Sequence, residues 1–446
     1  MLVMKFGGTS VESAEAIDRV AGIVRARITR HPVVVVSAMG KTTNALLAIA
    51  AAAAAGDRES ALSMLRTLSD FHRRESGELG ELEPLFEELG ELVNALAITR
   101  ELTPFASDAI ASYGERLSSL VVTALFQRSG VNAVHLDART VIITDRRHTQ
   151  AAPCLPETFA RLSAVLPALA RDQVVVMGGF IGSTTDAVTT TLGRGGSDYT
   201  AALVGAGIDA EEIQIWTDVD GMLTCDPTIR PGGYRVKFCS FEEAAELAYF
   251  GAKVLHPATV LPAIERDIPV RILNSRRPEV DGTLITADAP RCANAIRSIA
   301  CKRAITLVNI VSSRMFMAHG FLHRVFEIFD RFETPVDMLA TSEVSVSLTI
   351  DDSSALDAIH AEIEAFAELS VESDQCIVCL VGDDIRRTPG VAARVFGAIR
   401  DVNVRMISQG ASLRNISLVV RDADLHRVVD SLHREFFDSP DPATFE

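Results

Sequence analysis

Basic charge is in short supply. Lys and Arg number 43 against 59 Asp and Glu, a formal net charge of −16. A nucleic-acid binder needs a basic face, and a chain this acidic offers none readily, so no nucleic-acid partner is expected. Long apolar runs are missing too. The valine-rich runs 33–36 and 174–177 are strand-sized, far below the roughly 20 residues of a membrane-spanning helix, so no membrane association is expected. The first eight residues, Met-Leu-Val-Met-Lys-Phe-Gly-Gly, carry no basic stretch ahead of an apolar block and read as a strand rather than a secretory signal. Seven cysteines scattered over 446 residues make no disulfide framework. Cys376 and Cys379 have CxxC spacing but lie in an apolar, strand-like run, where buried core cysteine is the better reading. No other cluster has metal-ligand spacing, and the cytoplasm is the expected location. Neither the Gly-rich Lys-Ser/Thr signature of P-loop enzymes nor the His-Arg-Asp and Asp-Phe-Gly pair of protein kinases is present.

What the chain does have is βα alternation. At 446 residues it is long enough for two to four domains. Residues 2–6 form an apolar run ending in Gly7-Gly8. Apolar residues then recur at helical spacing (Ile17, Val20, Ile23, Val24, Ile28). Residues 44–100 are rich in Ala, Leu and Glu and predict helices. Helices over 108–128, 157–171, 198–206, 241–251 and 259–266 intersperse with strands at 33–36, 131–136, 174–178, 212–217 and 269–273. This is the pattern of an α/β fold with a mostly parallel sheet, which binds ligands at the carboxyl ends of its strands. Near residue 290 the pattern changes. The run from Gly320 to Phe326 is echoed 70 residues later from Gly390 to Phe396, and Ser347-Leu348 by Ser417-Leu418. Each copy reads as a loop, an amphipathic helix and two β-rich runs (335–341 and 344–350; 402–408 and 415–420), a duplicated small domain. The polar, turn-rich stretch 275–300 reads as the linker.

Four motifs carry chemistry. Lys5-Phe6-Gly7-Gly8-Thr9-Ser10 stands at a strand end before a helix; glycines let the backbone approach a phosphate, and a helix N-terminus favours negative charge. An ordinary βα turn with a surface lysine would look the same. Thr191-Leu192-Gly193-Arg194-Gly195-Gly196-Ser197-Asp198 is a second glycine-rich loop; Arg194 can grip a carboxylate bidentately, and Asp198 near the helix start could equally be an N-cap. Thr217-Asp218, followed by Asp220-Gly221 and Thr224-Cys225-Asp226-Pro227, reads as a nucleotide-contact loop or an acidic turn. Gly251-Ala252-Lys253-Val254-Leu255-His256-Pro257 places a second lysine near a helix end, where it could also serve the helix dipole; His256 reads as a turn residue.

Taken in order, Lys5 to Val11, Val36 to Asn44, Gly193 to Asp198 and Gly251 to Pro257 closely resemble the signatures of the amino-acid kinase superfamily, and within it the aspartokinases. The resemblance covers nearly the whole chain and implies an amino-acid-kinase fold over 1–290. Paired ferredoxin-like ACT domains would follow over 296–446, tandem or interleaved, with about 312–382 forming the first and about 296–311 with 383–446 the second. It implies transfer of the γ-phosphoryl of ATP, with Mg²⁺, to the side-chain carboxylate of L-aspartate. That carboxylate, with a reference pKa of about 3.9, is already ionised at neutral pH. It needs no general base, so catalysis would come from positioning and charge neutralisation. By resemblance Lys5 and Lys253 would hold the phosphates and Asp198 would organise them. Arg194 would take the substrate's α-carboxylate and Glu115 its ammonium. Ser37, Ala38, Thr43, Phe180, Gly195, Gly196 and Ser197 would complete the substrate site, and Gly7, Gly8, Thr9, Thr217, Asp218 and Leu223 the nucleotide site. Leu223 and Thr228 stand where lysine-sensitive members often carry Tyr and Arg, and Arg230 or Arg235 could substitute.

The C-terminal repeat resembles the lysine-binding class of ACT pairs, in which Asp337 would meet an effector ammonium beside Met315, Gly320, Phe321, Leu322 and Ser342. Ala318 replaces a family serine. A homodimer or homotetramer through the ACT domains, inhibited by lysine, is the implied assembly. Rival readings are another amino-acid kinase or an inactive amino-acid sensor; no fused homoserine dehydrogenase is expected.

Overall fold

The structure is a computed structural model and describes residues 1–251, 259–312 and 319–446. Two compact units emerge, and the chain visits the second of them twice. Met1–Met222 with Val254–Ala289 form the first; Leu223–Lys253 with Pro290–Glu446 form the second.

In the first unit the chain runs β1 (Leu2–Phe6), α1 (Ala14–Arg25), β2 (Pro32–Val36), α2 (Thr42–Ala54), α3 (Arg58–Ser76), α4 (Glu83–Thr99), α5 (Pro104–Ala111) and α6 (Tyr113–Arg128). It continues with β3 (Ala133–Leu136), α7 (Leu155–Leu169), β4 (Val174–Gly178), the hairpin β5 (Ile181–Ser183) and β6 (Thr189–Thr191), α8 (Gly196–Gly207) and β7 (Glu212–Thr217). After β8 (Phe238–Ser240) and α9 (Phe241–Tyr249), which belong to the second unit, it returns with α10 (Leu261–Glu265), β9 (Val270–Asn274) and β10 (Thr283–Thr286).

Strands β3, β4, β2, β1, β7, β9 and β10 lie side by side in that order. All pair in parallel except β10, which is antiparallel to β9. Strands β1, β2 and β4 are buried along their whole length, as strands covered on both faces must be, and this is why β2 and β4 read as valine-rich runs. The expected parallel α/β fold is therefore present. The helix expected over 108–128 is two helices, broken at Ser112, whose hydroxyl donates to the Ala109 carbonyl at 2.8 Å. The helix expected from the apolar spacing of residues 13–29 is present and runs from Ala14 to Arg25. Gly8–Val11 is a single 3₁₀ turn, and α1 begins at Ala14 with Ser13 as its cap.

The second unit adds β11 (Ser298–Val311), α11 (Phe321–Arg331), β12 (Met338–Thr341), β13 (Ser345–Ile350), α12 (Leu356–Ile363), β14 (Glu368–Val381), α13 (Val391–Ala398), β15 (Met406–Gln409), β16 (Asn415–Arg421) and α14 (Leu425–Phe437). Its sheet runs β12-β13-β11-β14-β16-β15, antiparallel throughout. The repeat is visible as two copies of helix, short edge strand and longer strand around the central β11–β14 pair. Cys376 and Cys379 are free and fully buried in β14, as core residues. Arg297 and Glu243, each 1% exposed at the side chain, form an ion pair at 2.8 Å. Glu243 also closes the Ser240 capping box that starts α9. Among the described residues no helix is long and apolar enough to cross a membrane.

Candidate active site

The carboxyl ends of β1, β2 and β4 lie at one edge of the first unit's parallel sheet, and a cavity of about 310 Å³ opens there. Lys5, Gly8, Ser37, Ala38, Gly40, Thr43, Glu115, Phe180, Gly193, Gly195, Gly196, Ser197 and Asp198 line it. Lys5 is next to last in β1 and buried by the flanking β2 and β7. Its Nζ lies 2.7 Å from Asp198 Oδ1, a contact held by charge rather than by an aligned hydrogen bond. Asp198 sits in the first turn of α8, where the helix dipole favours an anion. The N-cap of α8 is Gly195, so Asp198 is free of capping. The first turns of α2, α6 and α8 reach this cavity, and that of α1 does not. Gly193 and Gly195 both take positive φ, 78° and 72°, a conformation that costs glycine little; the turn they make carries Arg194.

Glu115 enters from the first turn of α6 and is 3% exposed. Its Oε1 accepts the Ala38 N–H at 3.1 Å, while its Oε2 has no partner among the described residues. Burial pushes its carboxyl up to about 8. The Ala38 amide, its own backbone and the charge of Lys5 pull back only partly. An orphaned carboxylate oxygen in a cavity is a costly arrangement. It is relieved when a ligand brings a cation or a donor.

Around this centre the packing is tight. The Ser118 hydroxyl donates to the Ser37 carbonyl at 2.7 Å, and the Thr200 hydroxyl accepts the Phe180 N–H at 3.0 Å. Phe180 holds φ 63°, strained for an aromatic residue, beside the Gly196 backbone.

The structure therefore brings together Lys5, Gly8, Ser37, Ala38, Thr43, Glu115, Phe180, Gly195, Gly196, Ser197 and Asp198. Other predicted residues lie elsewhere. Arg194 and Thr9 are exposed and outside the lining; Gly7 follows β1, its N–H donating to the Trp216 carbonyl. Thr217 ends β7 and donates to exposed Asp218 at 3.2 Å. Leu223 belongs to the second unit, where its carbonyl accepts from Ser298 at 2.6 Å. Arg230 is paired with Asp430 at 3.3 Å and Arg235 with Glu446. Lys253, His256, Met315 and Ala318 lie outside the described residues. Gly40 and Gly193 also line the cavity; each stands inside a motif but has no side chain to mark it.

Of the predicted effector residues, Gly320 caps α11 and Phe321 packs edge-on against Phe366 at 5.8 Å. Leu322 is exposed, and Ser342 and Ser345 share a hydroxyl bond at 2.7 Å. Asp337 binds Lys302 Nζ at 2.6 Å, a partner that no pattern in the sequence marks.

Comparison with known proteins identifies the architecture. Residues 1–274 match the Amino acid kinase family, and residues 308–366 and 378–436 match the ACT domain. Aspartokinase 2, chloroplastic, of Arabidopsis thaliana is 39% identical, over 98% of this chain and 84% of its own length. Lysine-sensitive aspartokinase 3 of Escherichia coli is 38% identical, over 98% and 99%. The chain belongs to the aspartokinase family. The crystal structure of E. coli aspartokinase III with lysine and aspartate in the T-state covers 98% of this chain and 99% of its own, with 36% identity and a TM-score of 0.84. The R-state complex of that aspartokinase with aspartate and ADP has the same TM-score. The α/β fold followed by antiparallel ACT sheets is thus the aspartokinase fold.

Proposed function

We propose that this chain transfers the γ-phosphoryl group of ATP to the side-chain carboxylate of L-aspartate, giving 4-phospho-L-aspartate, and that lysine inhibits it. The observation that carries the reading is the pairing, in one cavity, of a cationic centre with a carboxyl group whose second oxygen is unpartnered among the described residues. Lys5 supplies positive charge held in place by Asp198, and Glu115 Oε2 awaits a cation. An α-amino acid brings an ammonium to Glu115 and a reacting carboxylate toward Lys5. E. coli aspartokinase III binds aspartate, ADP and lysine, which supports the substrate, the nucleotide and the effector in this relative.

The chemistry is electrostatic. Two anions must meet, so the protein's contribution is to orient them and to place positive groups where charge develops. Lys5 neutralises the transferring phosphoryl and Asp198 fixes its direction. Arg194, on its glycine-flanked turn, takes the α-carboxylate, and Ser37, Thr43 and Ser197 supply hydrogen bonds. Lys253, Thr217 and Asp218 are the remaining nucleotide contacts. Mg²⁺ enters as the counter-ion of ATP and would sit on its phosphates. The described residues offer no group of three or more His, Cys, Asp or Glu side chains able to hold a metal. The product feeds the biosynthesis of lysine, and a dimer or tetramer through the ACT domains is the working assembly. The test is an ADP-release assay with aspartate, with glutamate and with no acceptor, repeated with lysine and with threonine. Aspartate-dependent ADP release suppressed by lysine alone supports the reading; equal release with glutamate refutes it.

A further inference from the structure

Asp337 already has a cation. Lys302 is the last residue of β11 in register with β14 before a bulge, where the pairing shifts between Lys302 and Ile305; Ala304 within the bulge has φ 57°. Asp337 immediately precedes β12 and Asp351 immediately follows β13. These two strands pair from Met338 opposite Thr349, so both carboxylates stand at one end of the sheet. Lys302 Nζ reaches them together, 2.6 Å from Asp337 Oδ1 and 2.8 Å from Asp351 Oδ2. The Tyr249 hydroxyl donates to the same Asp337 Oδ1 at 3.4 Å, and its ring centre lies 5.7 Å from Lys302 Nζ.

The charges do not balance. Two carboxylates face one ammonium, and the surplus falls on the more buried of the two. The Asp337 side chain is 5% exposed, Asp351's is 40%. Asp337 Oδ2 has no partner among the described residues. A buried carboxylate oxygen left open beside an occupied one is arranged to accept a second donor.

We propose that Lys302 is a built-in occupant of the effector carboxylate, so that the ammonium of a bound amino acid competes with the ammonium of Lys302 for Asp337. This rests on the reading of Asp337 as an effector contact. Two ammonium groups on one carboxylate repel each other. As the ligand engages Oδ2, Lys302 loosens from Oδ1 and is retained by Asp351. The neighbouring residue gives that displacement a path. A Cβ at Gly251 would lie 2.2 Å from the Cys301 carbonyl, and Gly251 holds φ 119°, so this stretch of chain rests directly on the backbone beside Lys302. Gly251 and Tyr249 precede Lys253 by two and four residues in sequence. The ligand's charge is thereby coupled, through Tyr249 and Gly251, to the C-terminal end of α9.

The full-length protein tests this with L-lysine as probe, reading the half-inhibiting concentration and the lysine-induced rise in Tm. Lys302→Met removes the competitor, and the half-inhibiting concentration should fall about tenfold, within the usual range of coupling between sites. Its Tm should also rise more with lysine than the parent's does. Asp351→Asn removes the alternative seat of Lys302 and should move the half-inhibiting concentration the other way. Asp351 is far more exposed than Asp337, so this variant decides the matter should Lys302→Met fail to fold. An unchanged or raised lysine requirement in Lys302→Met, or a lowered one in Asp351→Asn, overturns the competition. A parent enzyme neither inhibited nor stabilised by millimolar lysine overturns instead the effector reading, and the proposal with it.

Discussion

Glu115 holds an unpaired oxygen inside a cavity, and its protonation controls what the cavity can bind. With its carboxyl pushed up to about 8 by burial, the residue is mostly neutral at pH 6 to 7 in the empty site. An incoming ammonium needs the anion. Apparent affinity for aspartate should therefore rise with pH, by up to about tenfold per unit, and level off above about 8. A pH series of the aspartate KM, with the ATP KM as control, reads this. Stability runs the opposite way. The folded chain keeps this proton up to about 8, whereas the unfolded chain loses it near the ordinary glutamate value. Between those limits the folded state binds more protons, so stability falls as pH rises. Glu115→Gln should flatten that loss, seen as a smaller drop in Tm between pH 6 and 9. It should also raise the aspartate KM by roughly a hundredfold, the scale of losing one partner of a desolvated charge pair. A variant with unaltered KM would remove Glu115 from the substrate site.

At the scale of elements, α9 is fastened by a buried network. Ser240 accepts the Glu243 N–H, Glu243 Oε2 accepts from the Ser240 backbone and hydroxyl, and Glu243 Oε1 accepts from Arg297 Nε. Arg297 also donates to the Phe238 and Pro290 carbonyls at 2.7 and 2.8 Å. Arg297→Met leaves Glu243 charged and buried, at a cost of about 3–5 kcal/mol. Ser240→Ala removes only the cap, at about 1 kcal/mol. Urea unfolding of the two variants should show that order. The sequence disclosed α9 through its periodicity, yet Arg297 looked like one more polar residue in a linker, because its partner stands 54 residues away. Lys302 escaped notice for a related reason. Its meeting with Asp337 depends on a bulge in β11, and no period in the sequence marks a bulge. By contrast Lys5 was legible at the end of a plain strand pattern, whereas Ser37 and Glu115 were named through the family resemblance, because the helix break at Ser112 that puts Glu115 in a first turn leaves no mark in the periodicity. Arg194 was recognised in the sequence and is exposed here, on a turn between two glycines of positive φ.

Across the whole molecule the unexpected feature is connectivity. A single boundary near 290 is the natural reading of composition, but residues 223–253 pack with the C-terminal unit. Their strand and helix are ordinary βα elements, and nothing in their composition says which unit they join. A fragment of residues 290–446 would lack Glu243 and leave Arg297 with a buried, unpaired charge. It should unfold at lower temperature than a fragment in which residues 223–251 are linked to 290–446, a comparison made by circular dichroism.

The unpaired oxygen of Glu115 has one further consequence, for heat. Below about pH 8 the empty site carries a proton that the aspartate-filled site discards, so every cycle of binding and release passes one to the medium and takes it back. The calorimetric heat of aspartate binding should then differ between phosphate and Tris at equal pH, by an amount that tracks their ionisation enthalpies. In Glu115→Gln that difference should vanish.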